Sequence, residues 1–158
     1  MKPPNTSEGT DSVSPETAAV TQVLDALMDP QSEEQLSTLQ SALDAIPQLR
    51  DARACVPAMF RIFERFPWAD GFESFWGILH TLERIDGYEG YLLSSVKRMP
   101  GEFNLRMVNR LLNGGVHQID GVPLLALLEE VASGASVSAE ARAEARKYLD
   151  WQNSAKPG

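Results

Sequence analysis

Apolar residues along the chain recur mostly at helical spacing. The clearest pattern runs from Phe72 to Arg84, where apolar positions follow the i, i+3, i+4, i+7 spacing of a core-facing helix. We expect this segment to be the central packing helix. Its inward sector contains Phe72, Phe75, Trp76, Leu79 and Leu82. His80 lies at the edge of that sector, and Glu83 projects into it, where a carboxylate needs a partner or access to water.

The same periodicity, punctuated by Pro and Gly, predicts about eight helices of about 11 to 16 residues. Ser14-Pro15 and Ser138 are typical of helix starts. Pro57 interrupts one apolar stripe, so we expect a kink or two abutting helices there. The predicted helices besides the central one cover about residues 15–28, 30–44, 49–66, 88–99, 103–113, 121–131 and 139–151. In the 88–99 helix the predicted inward residues are Tyr88, Tyr91, Leu92, Ser95, Val96 and Met99.

Only the short run 116–119 resembles a strand, so the predicted fold class is all-α. The helix spacing suggests antiparallel hairpins that form a short HEAT-like solenoid or an irregular helical bundle. The sequence shows no clear internal repeat, and the solenoid is inferred from helix spacing alone. We expect a disordered tail over residues 1–13, a single all-α domain over 14–152 and a polar tail over 153–158.

Charge is spread unevenly along the 158 residues, whose formal net charge is -8. Residues 1–46 carry a net charge of -7, whereas residues 47–115 carry +1 and residues 116–158 carry -2. This balance disfavours nucleic acid or an anionic membrane as a direct partner and is compatible with a basic protein partner. Cys55 is the only cysteine, so an internal disulfide is excluded. The first residues lack the apolar core of a signal peptide and no apolar run approaches a membrane span, so we expect a cytoplasmic protein.

Candidate chemistry is sparse. His80 and His117 are the only histidines, and no cysteine or carboxylate stands near them at zinc-ligand spacing, so we expect no metal and no cofactor. We expect His80 to be a boundary residue that hydrogen-bonds a neighbouring helix, Glu83 or Glu73. For Glu83 the leading interpretation is an ion pair with an arginine such as Arg110, whose loss would cost roughly 1 to 4 kcal/mol. A catalytic acid is the alternative, which predicts a deep pocket holding Glu83 and His80 together.

The segment 75–83, Phe-Trp-Gly-Ile-Leu-His-Thr-Leu-Glu, resembles the immunity proteins encoded beside bacterial polymorphic toxins, in particular the all-α immunity protein family 30. The resemblance continues through residues 91–95 and 107–113 and covers about residues 70–130. It implies a protein, not an enzyme, that binds and neutralises a cognate toxin domain of a contact-dependent or type VI secreted effector. The candidate partner-binding residues are Glu73, Trp76, His80, Glu83, Arg106, Asn109, Arg110 and Asn113.

The expected partner is the toxin domain, for which a basic, nuclease-like protein is one candidate because acidic immunity proteins often complement basic nucleases. We expect the free protein to be a monomer or a weak homodimer. The alternative function is a helical-repeat adaptor or scaffold protein without a toxin partner.

Overall fold

The computed structural model describes residues 13–155, so predictions for residues 1–12 and 156–158 lie outside the described part of the chain. Eight α-helices and one short β-hairpin make up most of this region, which confirms the all-α class. The helices are α1 (Pro15–Asp25), α2 (Glu33–Ala45), α3 (Val56–Arg65), α4 (Ser74–Glu83), α5 (Glu89–Arg98), α6 (Glu102–Asn113), α7 (Leu124–Ser133) and α8 (Ala139–Ala155). Two 3-10 helices, Ile46–Gln48 and Ala52–Cys55, lie between α2 and α3.

The helices stack as hairpins in two layers. Helices α1, α3 and α5 pack in sequence in one layer, and α2, α4 and α6 pack in sequence in the other. Contacts within the pairs α1–α2, α3–α4 and α5–α6 join the two layers. Helices α7 and α8 pack against each other, and both contact α6. This is the arrangement of a short stack of helical hairpins, in which each hairpin mainly contacts its neighbours.

Helix starts follow the local chemistry of the sequence. The Ser14, Ser32 and Ser138 hydroxyls accept hydrogen bonds from backbone N–H groups three residues later, each at 3.2 Å. These bonds satisfy donors that a helix leaves free in its first turn. Pro57 lies in the first turn of α3, directly after the 3-10 helix that ends at Cys55. The expected interruption is therefore two abutting helices, with the proline where its missing N–H costs nothing.

Asp51 ties the beginning of α1 to the segment before α3. Its carboxylate accepts hydrogen bonds from the Ser14 N–H at 2.9 Å, from the Ser14 hydroxyl at 3.1 Å and from the Thr17 hydroxyl. Thr17 itself is fully buried. Hydrogen bonds to the ionised form, above all from the Ser14 backbone, lower the pKa of Asp51 from 3.8 to about 2. The negative carboxylate thus holds the N-terminus of the first helix.

The core is one connected cluster of buried apolar side chains drawn from all eight helices. At its centre, Phe63 of α3, Phe75 of α4 and Phe103 of α6 form a triangle of rings, with centroids 5.3 to 6.0 Å apart. Phe75, Leu79 and Leu82 are fully buried, so the inward face of α4 is largely as predicted. The aromatic triangle fixes α4 against two neighbouring helices, and thereby positions the polar residues along its edge.

Phe72 was predicted to point inward, and this is wrong. Helix α4 begins at Ser74, and the preceding residues Gly71, Phe72 and Glu73 all have positive φ angles of 57°, 48° and 73°. This left-handed run breaks the helical register, so the Phe72 side chain is 66% exposed. Tyr91 and Met99 of the next predicted helix are also exposed rather than inward. Met99 lies beyond the last helical residue of α5, where helical periodicity no longer applies.

Several predicted boundaries also move: α1 ends at Asp25 rather than residue 28, α2 begins at Glu33 rather than residue 30, and α3 begins at Val56 rather than residue 49. Val122–Pro123 forms a strand that pairs antiparallel with Gln118–Ile119, so α7 begins at Leu124 rather than at residue 121. Part of the run 116–119 is therefore a strand, as its composition suggested. Helix α8 continues to Ala155, so the polar tail predicted from residue 153 is helical over its first three residues.

Candidate partner-binding face

Helices α4 and α6 bring together seven of the eight predicted partner-binding residues. In α4 the residues are three or four apart, and in α6 Arg106, Arg110 and Asn113 follow the same spacing with Asn109 beside Arg110, so each set shares one side. Two contacts join the two sides: Arg106 of α6 lies over the ring of Trp76 of α4, and Arg110 of α6 forms an ion pair with Glu83 of α4. We call these seven residues the α4–α6 face: Trp76, His80 and Glu83 on α4, with Arg106, Asn109, Arg110 and Asn113 on α6.

Glu83 and Arg110 form the predicted ion pair. Arg110 Nε donates to Glu83 Oε2 at 2.7 Å, and Arg110 Nη2 donates to Oε1 at 2.9 Å, a bidentate arrangement. The hydrogen bonds that Arg110 donates to Glu83 raise the pKa of Arg110. The Glu83 and Arg110 side chains are 23% and 40% exposed, so water screens the pair. We therefore expect the pair to contribute about 1 kcal/mol to the free energy of unfolding, the lower end of the range of roughly 1 to 4 kcal/mol that the sequence suggested.

Tyr88 lies beside this pair. Burial, helped by the nearby carboxylates of Glu89 and Glu83, raises the pKa of Tyr88 to about 12, although Arg110 acts in the opposite direction. The phenol therefore stays neutral at physiological pH and adds no charge next to the ion pair.

Trp76 organises the other end of the face. The Arg106 guanidinium carbon lies 4.7 Å from the Trp76 ring centroid and 5.0 Å from that of Phe103, within cation–π distance of both. Arg106 Nη2 also lies 3.6 Å from a Glu102 carboxylate oxygen. These contacts hold the guanidinium between two rings and a carboxylate, so its donors are restricted in direction before any partner arrives.

His80 lies at the edge of the face, as predicted, and its ring stacks near Trp76 with centroids 5.9 Å apart. The expected hydrogen bond to Glu83 is not formed, because His80 Nδ1 lies 3.9 Å from Glu83 Oε1. The imidazole is largely exposed and stays accessible to a partner.

Asn109 and Asn113 accept hydrogen bonds from a residue that was not among the predicted ones. Gln152 of α8 donates from Nε2 to Asn109 Oδ1 at 2.7 Å and to Asn113 Oδ1 at 2.9 Å. Gln152 is buried, so it joins α8 to the back of the face. A signal for it existed in the sequence. Gln152 lies three residues after Leu149, and so continues the inward stripe of α8 beyond the predicted helix end.

Glu73 is the one predicted residue that the structure leaves apart from the α4–α6 face. It precedes the first helical residue of α4 with a φ of 73° and is exposed. Among residues 13–155 it forms none of the ion pairs.

Arginine and tryptophan are the residue types that most often dominate protein–protein binding energy, and the face contains both in restricted conformations. No group of three or more His, Cys, Asp and Glu residues within the described region is placed to hold a metal ion. Nor is any helix between residues 13 and 155 both long and apolar enough to cross a membrane. Comparisons of the chain with protein-family models, with curated proteins and with solved structures find no match.

Proposed function

We propose that this protein is a bacterial immunity protein that binds and neutralises a cognate toxin domain by protein–protein contact. The α4–α6 face is the proposed binding surface, and the cytoplasm is the proposed compartment. The proposal combines the sequence resemblance, which covers about residues 70–130, with the fact that this segment builds the face.

The observation that carries the proposal is the preorganisation of charged side chains on a rigid support. Arg110 is held by both oxygens of Glu83, and Arg106 is held over the Trp76 ring. Side chains that are already ordered lose less conformational entropy on binding, so more of their interaction energy appears as affinity. The aromatic triangle beneath α4 supplies the rigidity. Tight inhibition of a toxin needs a surface of this kind.

The acidic first hairpin supports a basic partner. The carboxylates of Glu16, Glu33, Glu34 and Asp44 lie on exposed positions of α1 and α2, whereas the Asp25 carboxylate is paired with Arg61. Such a surface accelerates association with a basic toxin by long-range attraction, and the acceleration weakens as salt is added.

Co-expression with the toxin encoded by the adjacent gene tests the proposal. We expect the wild-type protein to restore growth and to co-purify with the toxin, and Arg110→Ala to weaken both effects. Arg98→Ala is a matched control, because Arg98 makes the same bidentate pair with Glu64 on a different pair of helices, α3 and α5. Loss of rescue in the control but not in Arg110→Ala, or the absence of any complex with the wild type, refutes the proposal.

A helical adaptor is the second candidate, and the two-layer stack of hairpins favours it, because such stacks commonly serve as binding scaffolds. The same co-expression separates the two candidates. An adaptor gives no protection against the toxin and instead co-purifies with regulatory proteins of the cell.

A further inference from the structure

A cleft of about 320 Å³ opens beside the loop that leads into α4. It lies outside the α4–α6 face, and its lining includes Trp68, Asp70, Phe72 and Glu102. Trp68 and Phe72 are large aromatic residues that are 39% and 66% exposed, respectively. Two exposed aromatic rings that line one cleft offer an apolar surface on which a ligand can pack.

The backbone at Phe72 strengthens this interpretation. Its φ of 48° lies in the left-handed region, which glycine adopts without strain and which bulky side chains disfavour. Burial of the ring does not offset the free energy lost to this backbone conformation, because most of the Phe72 side chain stays in water. A position that is both strained and exposed is better explained by contact with another molecule than by the stability of this chain.

The charges at the cleft define the ligand. Among residues 13–155, Asp70 and Glu102 are the only charged ones in its lining, and both are carboxylates. One Asp70 oxygen accepts the Phe72 N–H at 3.0 Å, which leaves its second oxygen for a ligand. A Glu102 carboxylate oxygen lies 3.6 Å from Arg106 Nη2. Aromatic rings combined with carboxylates fit a guanidinium group, which is planar, stacks on rings and donates paired hydrogen bonds to a carboxylate.

We propose that this cleft binds an arginine side chain of a partner protein, stacked on Phe72 and hydrogen-bonded to Asp70, with Trp68 in the same lining. The proposal goes beyond the immunity function and holds whether the partner is a toxin or another protein. Arginine is preferred to lysine because the compact ammonium group cannot stack and bond in two directions at once.

An NMR titration of the full chain with N-acetyl-arginine methylamide tests the proposal. We expect the Trp68 indole N–H and the Phe72 and Asp70 backbone amides to shift with increasing probe. The indole N–H of Trp151, which is 57% exposed but does not line the cleft, serves as an internal control and should not shift. The citrulline analogue has nearly the same shape without the charge, and it should produce no comparable change.

Phe72→Gly is the decisive variant, since glycine relieves the positive φ. We expect this variant to melt at the same temperature as the wild type or higher, while binding of the arginine probe weakens about threefold or more. Asp70→Asn should also weaken binding. The proposal is overturned if arginine and citrulline probes shift the same resonances equally, if the lysine analogue binds as tightly as arginine, if no shift occurs, or if Phe72→Gly retains full binding.

Discussion

Replacing Arg110 with alanine separates the structural role of the Glu83–Arg110 pair from its proposed role in binding. The pair links α4 to α6 by two hydrogen bonds of 2.7 and 2.9 Å. Exposed ion pairs contribute roughly 0.2 to 1 kcal/mol, and breaking a fully buried one costs about 3 to 5 kcal/mol. Because the two side chains are 23% and 40% exposed and their geometry is bidentate, we expect a coupling free energy near the upper end of the exposed range, about 1 kcal/mol.

A double-mutant cycle measures this coupling. Glu83→Ala, Arg110→Ala and the double variant are compared with the wild type by urea denaturation, which gives the free energy of unfolding of each. One kcal/mol corresponds to a change of about 2 to 4 °C in melting temperature for a chain of this size. Raising the salt concentration to about 1 M should reduce the coupling, because ions screen exposed charges. A coupling above about 3 kcal/mol, or one insensitive to salt, contradicts the assignment of a solvent-screened pair.

The binding role is tested by the affinity for the toxin under the same conditions. Arg110→Ala should reduce the affinity for the toxin. Its loss of stability cannot explain this reduction, because nearly all of the variant protein stays folded. Arg98→Ala removes an equally well-formed pair with Glu64 and should leave the affinity unchanged. If Arg98→Ala and Arg110→Ala lower the affinity equally, the α4–α6 face has no special role in binding.

The remaining predictions concern other parts of the fold. The pKa of Asp51 is about 2 in the folded protein instead of 3.8, so its ionised carboxylate stabilises the fold above about pH 4, and this contribution is lost as the pH falls towards 2. Melting temperatures should show the advantage of wild type over Asp51→Asn shrinking across that interval, and a constant difference contradicts the prediction. Phe75→Ala opens a cavity in the aromatic triangle and should lower the free energy of unfolding in urea by about 3 to 5 kcal/mol, whereas a loss below about 1 kcal/mol refutes its central position. Gln152→Ala leaves two asparagine oxygens without their donor and should cost about 1 kcal/mol by the same assay, while Gln152→Glu, which cannot donate when ionised, should be no more stable than Gln152→Ala.

The sequence predicted the helices well where local chemistry decides their position. Ser14-Pro15 and Ser138 begin helices because a serine hydroxyl satisfies a free N–H whatever the rest of the chain does. The Glu83–Arg110 pair was also predictable, since a carboxylate among apolar positions needs a partner or access to water, and an arginine is a common partner. These features depend on only a few neighbouring residues or on one necessary partner.

Features that depend on backbone conformation outside the helices, or on a polar residue at an inward position, were missed. Phe72 fits the apolar periodicity of α4, and only the left-handed run of residues 71–73 turns its side chain outward. The inward position of Gln152 was missed because its side chain is polar, although its spacing agreed with the buried stripe of α8. The strand at Val122–Pro123 depends on pairing with Gln118–Ile119, which no single segment encodes. The cleft beside Trp68 and Phe72 arises from the same loop and was missed for the same reason.

A molecule built by stacking has terminal units, and α1 is one of them. This helix contacts α2, α3 and the short 3-10 helix before α3, and its first turn is held by the carboxylate of Asp51. Protonation of Asp51 therefore loosens the end of the stack without touching the aromatic triangle at its centre. As the pH approaches 2 we expect α1 to exchange its amide hydrogens with solvent long before α4 and α6 do. Acid unfolding of this protein should then proceed in stages, and a single melting temperature will describe it only above about pH 4.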